Sequence, residues 1–257
     1  MNIQKMHETF RTLGQQKGMQ LVRVILPEEI DVYINDAIAE KTRAEIMKSI
    51  DYSVKTSNNA LTSAMTNINL FKSLYRNARF ELDTDKTNNL LKDYNANNGY
   101  HEIAIPTIDC SLKDAIELQE GEYFINPMLY ISFSVEYDAS SKGASTNCRV
   151  IPLDELDETL NDYCNSASKE YPIITMIGNP FLNSDVESNS NLYDSSLQLY
   201  TNKKNCKANF INIKYIKKPN VVDYKNGVDC DLADYCHYEI VELAVKKYLI
   251  SINVINK

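Results

Sequence analysis

Apolar residues recur along this chain at two different spacings. Over roughly the first third the spacing is helical. Ile3, Met6, Phe10 and Leu13 fall at three- and four-residue intervals and predict a short helix over 1–13, bracketed by Gly14 and Gly18. QLVRVIL (20–26) is a β-branched run that reads as a strand or an extended link. Pro27 then suits the first position of a helix, and Glu28 and Glu29 sit where the helix dipole favours negative charge. Ile30, Ile34, Ala37, Ile38, Lys41, Ala44, Met47 and Ile50 continue that helical face. DYSVKTSNN (51–59) is a polar break, after which Leu61, Ala64, Met65, Ile68, Phe71, Leu74 and Tyr75 return to helical spacing over 60–75. The stretch 83–99 is rich in Asp, Asn, Lys and Thr, ends in Asn98-Gly99, and reads as a loop.

From residue 100 the period falls to two. HEIAIP (101–106) predicts a strand closed by Pro106, and Ser111 with Asp114 fits a capping box for a helix over 112–119. In 123–137, Leu129, Ile131, Phe133 and Val135 alternate with Tyr130, Ser132 and Ser134, so one face is expected to be buried. A polar turn (138–146) leads to CRVI (148–151), and Pro152, Asp154 and Glu155 open a short helix through Leu156 and Leu160. Residues 164–196 read as one long loop, a length that is uncommon in a compact domain unless it is functional or ordered by a partner. SLQLYT (196–201) and NFINIKYI (209–216) predict a hairpin. Asp231 or Asp234 is expected to cap a final helix over about 235–251, with Ile240, Val241, Ala244, Val245, Tyr248 and Leu249 on its apolar side.

Helices segregated from strands imply an α+β class. The expected architecture is an N-terminal helical bundle, an antiparallel β-rich middle of sandwich or barrel type, and a C-terminal helix packed back on the bundle. The expected organisation is a single domain over 1–257, mainly helical in 1–82, mainly β with short helices in 100–220, and closed by the terminal helix in 231–252.

Composition narrows the chemistry. The chain carries 27 Lys and Arg against 35 Asp and Glu, a net charge of -8, which disfavours a role in gripping phosphate backbones. No apolar run approaches the roughly 18–20 residues that span a bilayer, and the N-terminus lacks the apolar core of a signal peptide. The expected setting is therefore a soluble protein made in a cytoplasm. With only 7 glycines there is neither GxGxxG nor GxxxxGK[ST]. Cys110, Cys148, Cys164, Cys206, Cys230 and Cys236 are widely and irregularly spaced, as reduced and mostly buried thiols would be.

Four groups of residues invite chemistry, and each has a plainer structural reading of greater weight. His7, His101 and His237 are far apart, and no GxSxG elbow accompanies them. Cys230, Cys236 and His237 suggest zinc, but the Cys-x5-Cys spacing is wide and no fourth ligand is local, so they read as the opening of the last helix. Glu28-Glu29, Asp154-Glu155 and Asp157-Glu158 could be acid/base pairs but are explained by helix starts. Lys203, Lys204, Lys214, Lys217 and Lys218, with Tyr200, Phe210 and Tyr215 between them, could form a nucleic-acid face, but a solvated hairpin or a face meeting another subunit is the stronger reading. No catalytic, cofactor-binding or metal-binding residue is assigned.

The C-terminal third carries a resemblance. Tyr215, Ile216, Lys217 and Pro219, followed by Leu232, His237, Glu239, Ile240, Val241, Ala244, Val245, Tyr248 and Leu249, match a strand-then-helix block. That block resembles the end of neck or ring proteins of tailed bacteriophages. Ala233 stands where that family usually has proline. MNIQKMHETF (1–10), LPEEIDVYINDAIAEKTRAEI (26–46), RVIPLDELDETLND (149–162), Pro172 and LQLYT (197–201) follow the layout of ring proteins of crAss-like phages, which are similar to the head-to-tail adaptors of short-tailed phages. The resemblance spans most of the chain as scattered positions. Tyr215, Lys217, Pro219, Leu232, His237, Glu239, Ile240, Ala244 and Tyr248 are its principal carriers and do not form an active site.

The resemblance implies a non-enzymatic virion protein without cofactor, found in the neck of the particle and, during assembly, in the host cytoplasm. It implies a twelve-fold ring of this chain below the portal, docking the portal or a neighbouring ring or tail hub. Genomic DNA would pass through the lumen without sequence-specific binding, and no membrane is involved. The rival readings are another virion subunit, such as a tail hub or head decoration, and a soluble hydrolase.

Overall fold

The computed structural model describes residues 1–17, 25–56, 71–81, 91–95, 100–106, 127–137, 145–178, 193–201 and 208–255. In chain order these form α1 (Ile3–Gln16), α2 (Pro27–Thr56), β1 (Tyr75–Glu81), β2 (Leu91–Asn95), β3 (Tyr100–Pro106), β4 (Pro127–Glu136), β5 (Thr146–Asn147), β6 (Arg149–Val150), α3 (Leu153–Asn161), β7 (Ile173–Gly178), β8 (Tyr193–Tyr200), β9 (Phe210–Lys217) and α4 (His237–Ile255). Apart from α3, which lies among the strands, helices and mainly antiparallel sheets occupy separate stretches of chain, so the class is α+β. The chain divides into two compact units, Met1–Tyr75 with Lys218–Lys257, and Arg76–Lys217. The physical reason is the change of period: helical and alternating faces build two separate sets of buried side chains.

In the first unit, α1 begins at Asn2, whose side chain accepts the Lys5 N–H. It buries Ile3, Met6, Phe10 and Leu13, the expected face, but continues through Gly14 instead of stopping there. The second helix, α2, buries Ile30, Ile34, Ala37 and Ile38, and its backbone stays helical to Thr56, past the expected break at 51. DYSVKT contains neither proline nor glycine, so nothing forces the turn. Of the helix expected over 60–75, residues 60–70 lie outside the described residues. Phe71–Leu74 is a turn closed by a 2.9 Å hydrogen bond from Leu74 N–H to Phe71 O, and Tyr75 already belongs to β1. The fourth helix, α4, buries Ile240, Val241, Ala244 and Val245. Its Tyr248 meets Phe10 of α1 edge-on at 5.9 Å and Tyr33 of α2 at 5.3 Å. Lys41–Glu239, Lys247–Asp36 and Lys17–Glu242, at 2.7, 2.5 and 2.9 Å, lace its rim to the other two helices.

In the second unit, one sheet has the order β1-β9-β4-β5 and the other β2-β3-β8-β7-β6. Side chains from both sheets enter one apolar cluster: Phe133, Val135, Ile211, Ile213 and Tyr215 from the first, and Ile174, Leu197 and Leu199 from the second. This overturns the expected hairpin. β8 pairs with β3 and β7, whereas β9 pairs with β4, so the two strands face each other through the core. Three other expectations change. Strand β1 lies within the stretch expected to be helical, because edge pairing with β9 rewards its alternation and Ala78 packs on the cluster. β2 lies within the loop expected at 83–99, held by pairing with β3. β7 lies within the loop expected at 164–196, because Ile173-Ile174-Thr175 is a buried β-branched run hydrogen-bonded on both sides.

The expected alternation in β4 also breaks. Tyr130 opposes Tyr215 while Ser132 opposes Lys214, so two steps on β4 meet one on β9. Such a bulge reverses parity. Tyr130 therefore shares the inward face with Phe133, with ring centroids 5.6 Å apart, while Leu129 falls opposite Ile216 on the other face. The segment 146–150 crosses between the sheets: Thr146 and Asn147 pair with β4, and Arg149 and Val150 run parallel to β7. α3 lies on β7 through Leu156, Ile173 and Tyr200. The capping box at Ser111, the turn at 138–144 and Asn98-Gly99 lie outside the described residues.

Candidate functional site

The segment 219–236 ties the first unit together through side chains of α1 and α2. Asn35 donates from Nδ2 to Val222 O at 2.9 Å and accepts the Val222 N–H on Oδ1 at 2.8 Å. One turn earlier, Asp31 Oδ1 lies 2.7 Å from His7 Nε2, and Oδ2 accepts the Tyr224 N–H at 3.0 Å. The His7 ring stacks on Tyr224, centroids 4.6 Å apart at 28°. Asp223 and Val228 bridge the turn that follows, and Gly227 there has φ +67, a conformation that favours glycine. A carboxylate orienting an imidazole is part of a hydrolytic triad. Here His7 is 2% exposed and its Nδ1 is buried without a partner, so the pair has no route to a substrate. Its geometry is that of a clamp joining α1, α2 and the 219–228 segment. Sequence reasoning missed this cluster; the only available signal was an Asp one turn into the helix after Pro27.

The positions carrying the resemblance are mostly interior. Tyr215 lies in the shared cluster of the second unit, Lys217 ends β9, and Pro219 follows it. Leu232, His237, Ile240 and Ala244 are each at most 4% exposed, and Tyr248 joins α4 to α1 and α2. Glu239 is exposed and accepts from Lys41 at 2.7 Å, which holds the Lys41 ammonium above its ordinary range. His237 Nε2 donates to Leu232 O at 2.9 Å, fixing the bend into α4. Neither Asp expected to cap the helix does so. Asp231 Oδ1 accepts the Asn220 N–H, and Asp234, in the 3-10 turn before α4, accepts the N-terminal ammonium of Met1.

The other candidates resolve in the same direction. Burial pushes the Cys230 and Cys236 thiols up to about 12 and about 11, and Cys236 Sγ donates to Ala233 O at 2.8 Å, so neither offers a thiolate. Among the described residues no three His, Cys, Asp or Glu side chains are grouped to hold a metal ion. Glu28 and Glu29, like Asp154 and Glu155, occupy first turns, whereas Asp157 and Glu158 lie mid-helix in α3 rather than at a helix start. Tyr200 and Tyr215 are 8% and 7% exposed and so cannot stack bases; Lys203 and Lys204 lie outside the described residues, as do Cys110 and Cys206. His101 pairs with Leu199 in the β3–β8 ladder.

α3 and the residue after it present Asp154, Glu155, Asp157, Glu158 and Asp162, all exposed. Glu155, Glu158 and Asp162 line an open depression of about 690 Å³ with Arg149 and Asn165. Asp162 accepts from the Cys164 N–H and the Asn165 amide, which holds its carboxyl below the usual carboxylate range. On the other sheet, Lys214 is exposed, and Arg79 lies 3.6 Å over the Phe210 ring while donating to Glu136 at 2.6 Å. Among the described residues no helix is long and apolar enough to cross a membrane. No known family model and no curated protein sequence matches the chain.

Proposed function

We propose that this protein is a non-enzymatic component of a phage particle: one ring of the neck between portal and tail. In this reading twelve copies surround the tail axis, extend and seal the DNA channel, and dock the next tail component. The carrying observation is that the residues behind the resemblance are architectural. Leu232, His237, Ile240, Ala244 and Tyr248 form the seam by which α4 closes on α1 and α2. His7, Asp31, Cys236 and His237 are engaged in packing and hydrogen bonds within the helical unit. The finer architecture follows: a three-helix bundle of α1, α2 and α4, and a two-sheet sandwich built around the shared cluster.

A net charge of -8 supports a channel through which DNA slides without adhering, because like charge suppresses phosphate contacts. A lumen lined with Lys and Arg in a reconstructed ring would overturn that part of the reading. The test of the whole is peptide mass spectrometry on gradient-purified particles, scored as copies relative to the major capsid protein and the portal. A count equal to the portal's supports the neck ring. A count in the hundreds moves the protein to the head surface, and absence from particles overturns the virion reading.

A further inference from the structure

We propose that Asn226 is a self-modification site, at which the backbone nitrogen of Gly227 displaces the side-chain amide and the product opens the turn beside the His7–Asp31–Tyr224 clamp. The site does not depend on the neck-ring reading. Of the two Asn-Gly pairs in the chain, Asn98-Gly99 lies outside the described residues, and Asn226-Gly227 belongs to the turn bridged by Asp223 and Val228. Three features favour the reaction there. Asn226 and Gly227 are both exposed, so water and hydroxide reach them. Gly227 has no side chain to crowd the attacking nitrogen, and nothing lies within 4 Å of where a Cβ would stand. Its N–H is held only by a 3.4 Å bond to Tyr224 O, at the long limit of hydrogen bonding. Asn165-Ser166 supplies the contrast. The Asn165 amide donates to Asp162 three residues back at 2.5 Å, as the Asn226 amide donates to Asp223 at 2.7 Å. The Ser166 N–H, however, is held at 2.9 Å by Asp162 O, and Ser166 carries a side chain.

The chemistry needs only water. Hydroxide removes the Gly227 N–H proton, and the nitrogen attacks Asn226 Cγ. A bond from that nitrogen to Cγ forms, the Cγ–Nδ2 bond breaks, and the amide nitrogen leaves as ammonia after taking a proton from water. Water then opens the cyclic imide at either carbonyl, giving aspartate or isoaspartate with no change of oxidation state. The product undoes the turn. Asn226 donates to Asp223 twice, from its backbone N–H to Oδ1 at 3.0 Å and from Nδ2 to Oδ2 at 2.7 Å. After conversion a carboxylate faces Asp223 where the Nδ2 donor stood. Isoaspartate also lengthens the backbone between Asp223 and Val228, which displaces the paired bonds from Val228 N–H to Asp223 O at 2.8 Å and from Asp223 N–H to Val228 O at 3.2 Å. Tyr224 adjoins Asp223, and its N–H and ring meet Asp31 and His7.

The test ages the full folded chain at mildly alkaline pH, beside a urea-unfolded sample, and maps aspartate and isoaspartate by peptide mass spectrometry. In the folded chain Asn226 is expected to convert at least about tenfold faster than Asn165, and Gly227→Ala to slow conversion at Asn226 by about tenfold. Hydrogen exchange is expected to rise over 219–228, and not in β8 and β9, both in the aged chain and in Asn226→Asp. Conversion of Asn226 only in the unfolded sample would mean that the turn shields its own amide, and would overturn the site. Equal rates at Asn226 and Asn165 in the folded chain would overturn it as well. Unchanged exchange over 219–228 in a chain fully converted at Asn226 would overturn the opening of the turn. The ageing measurement is made on the wild-type chain, so no variant has to fold for the site itself to be refuted.

Discussion

Replacing Asp31 by Ala strikes the point where α1, α2 and the 219–228 segment meet. Asp31 accepts two hydrogen bonds, from buried His7 Nε2 at 2.7 Å and from the Tyr224 backbone N–H at 3.0 Å. Truncation leaves both donors without a partner, and each unsatisfied buried donor costs about 1–3 kcal/mol. The Asp31 side chain retains 12% exposure, so water can reach part of the vacated space. The expected loss is therefore about 2–4 kcal/mol. Urea titration followed by tyrosine near-UV circular dichroism measures it. Hydrogen exchange should locate the loss, with amides of 219–228 and α1 opening while those of β8 and β9 keep their protection. Replacing both partners, Asp31→Leu with His7→Leu, should recover much of the loss, because a matched apolar pair leaves only the Tyr224 N–H unsatisfied. A change below about 0.5 kcal/mol for Asp31→Ala, or exchange increasing equally in both units, would refute the clamp.

Ala244 is fully buried on α4, so Ala244→Leu should overpack the helical unit and cost about 1–3 kcal/mol in a thermal or urea melt. Among the described cysteines, Cys164 is exposed whereas Cys148 and Cys230 thiols are pushed up to about 12 by burial. At pH 8 iodoacetamide should label Cys164 at least about a hundredfold faster than either, read by peptide mass spectrometry, until urea removes the difference. Donation from Arg79 and Asn212 lowers the Glu136 carboxyl below its ordinary value of about 4.5. Its stabilising contribution is full above that value and is lost as pH falls through the lower folded value; Arg79→Gln should flatten this acid limb, measured as midpoint against pH from 3 to 6. Gly227→Ala should cost about 1 kcal/mol from its φ of +67 alone, since nothing lies within 4 Å of the added methyl.

The α+β class and the buried faces of α1, α2 and α4 were legible because each is a local periodic pattern read against one partner surface. The faces of β9 were equally clear through Ile211, Ile213 and Tyr215. What failed depended on pairing between distant segments. β8 and β9 are neighbours in sequence and both alternate, which is the pattern of a hairpin; their assignment to different sheets is decided by β3 and β4, more than sixty residues upstream of β8 and of β9 respectively. Tyr75–Glu81 is a polar edge strand whose side-chain pattern is too weak to outweigh the helical spacing before it. Register shifts at Pro127–Leu129 and Tyr130–Ser132 then put Tyr130 rather than Leu129 on the inward face of β4, and no composition rule marks them. The His7–Asp31–Tyr224 cluster lay beyond reach for the same reason, since its members are 24 and 193 residues apart.

The chain leaves the helical unit after Tyr75 and returns to it at Lys218. On a ribosome this order matters. α1 and α2 emerge before the strands, yet the helix that packs on Phe10 and Tyr33 is encoded after them. All of residues 76–217 must be made in between, and translation at about 5–20 residues per second then needs roughly 2–8 seconds more to deliver the final segment. During that interval the strand-rich portion can complete its own interior while the first two helices wait with an uncovered apolar seam. A nascent chain arrested before His237 would therefore hold a finished β-unit and an unfinished helical one, and a premature stop between Lys218 and His237 would leave that seam as the sticky part of the product.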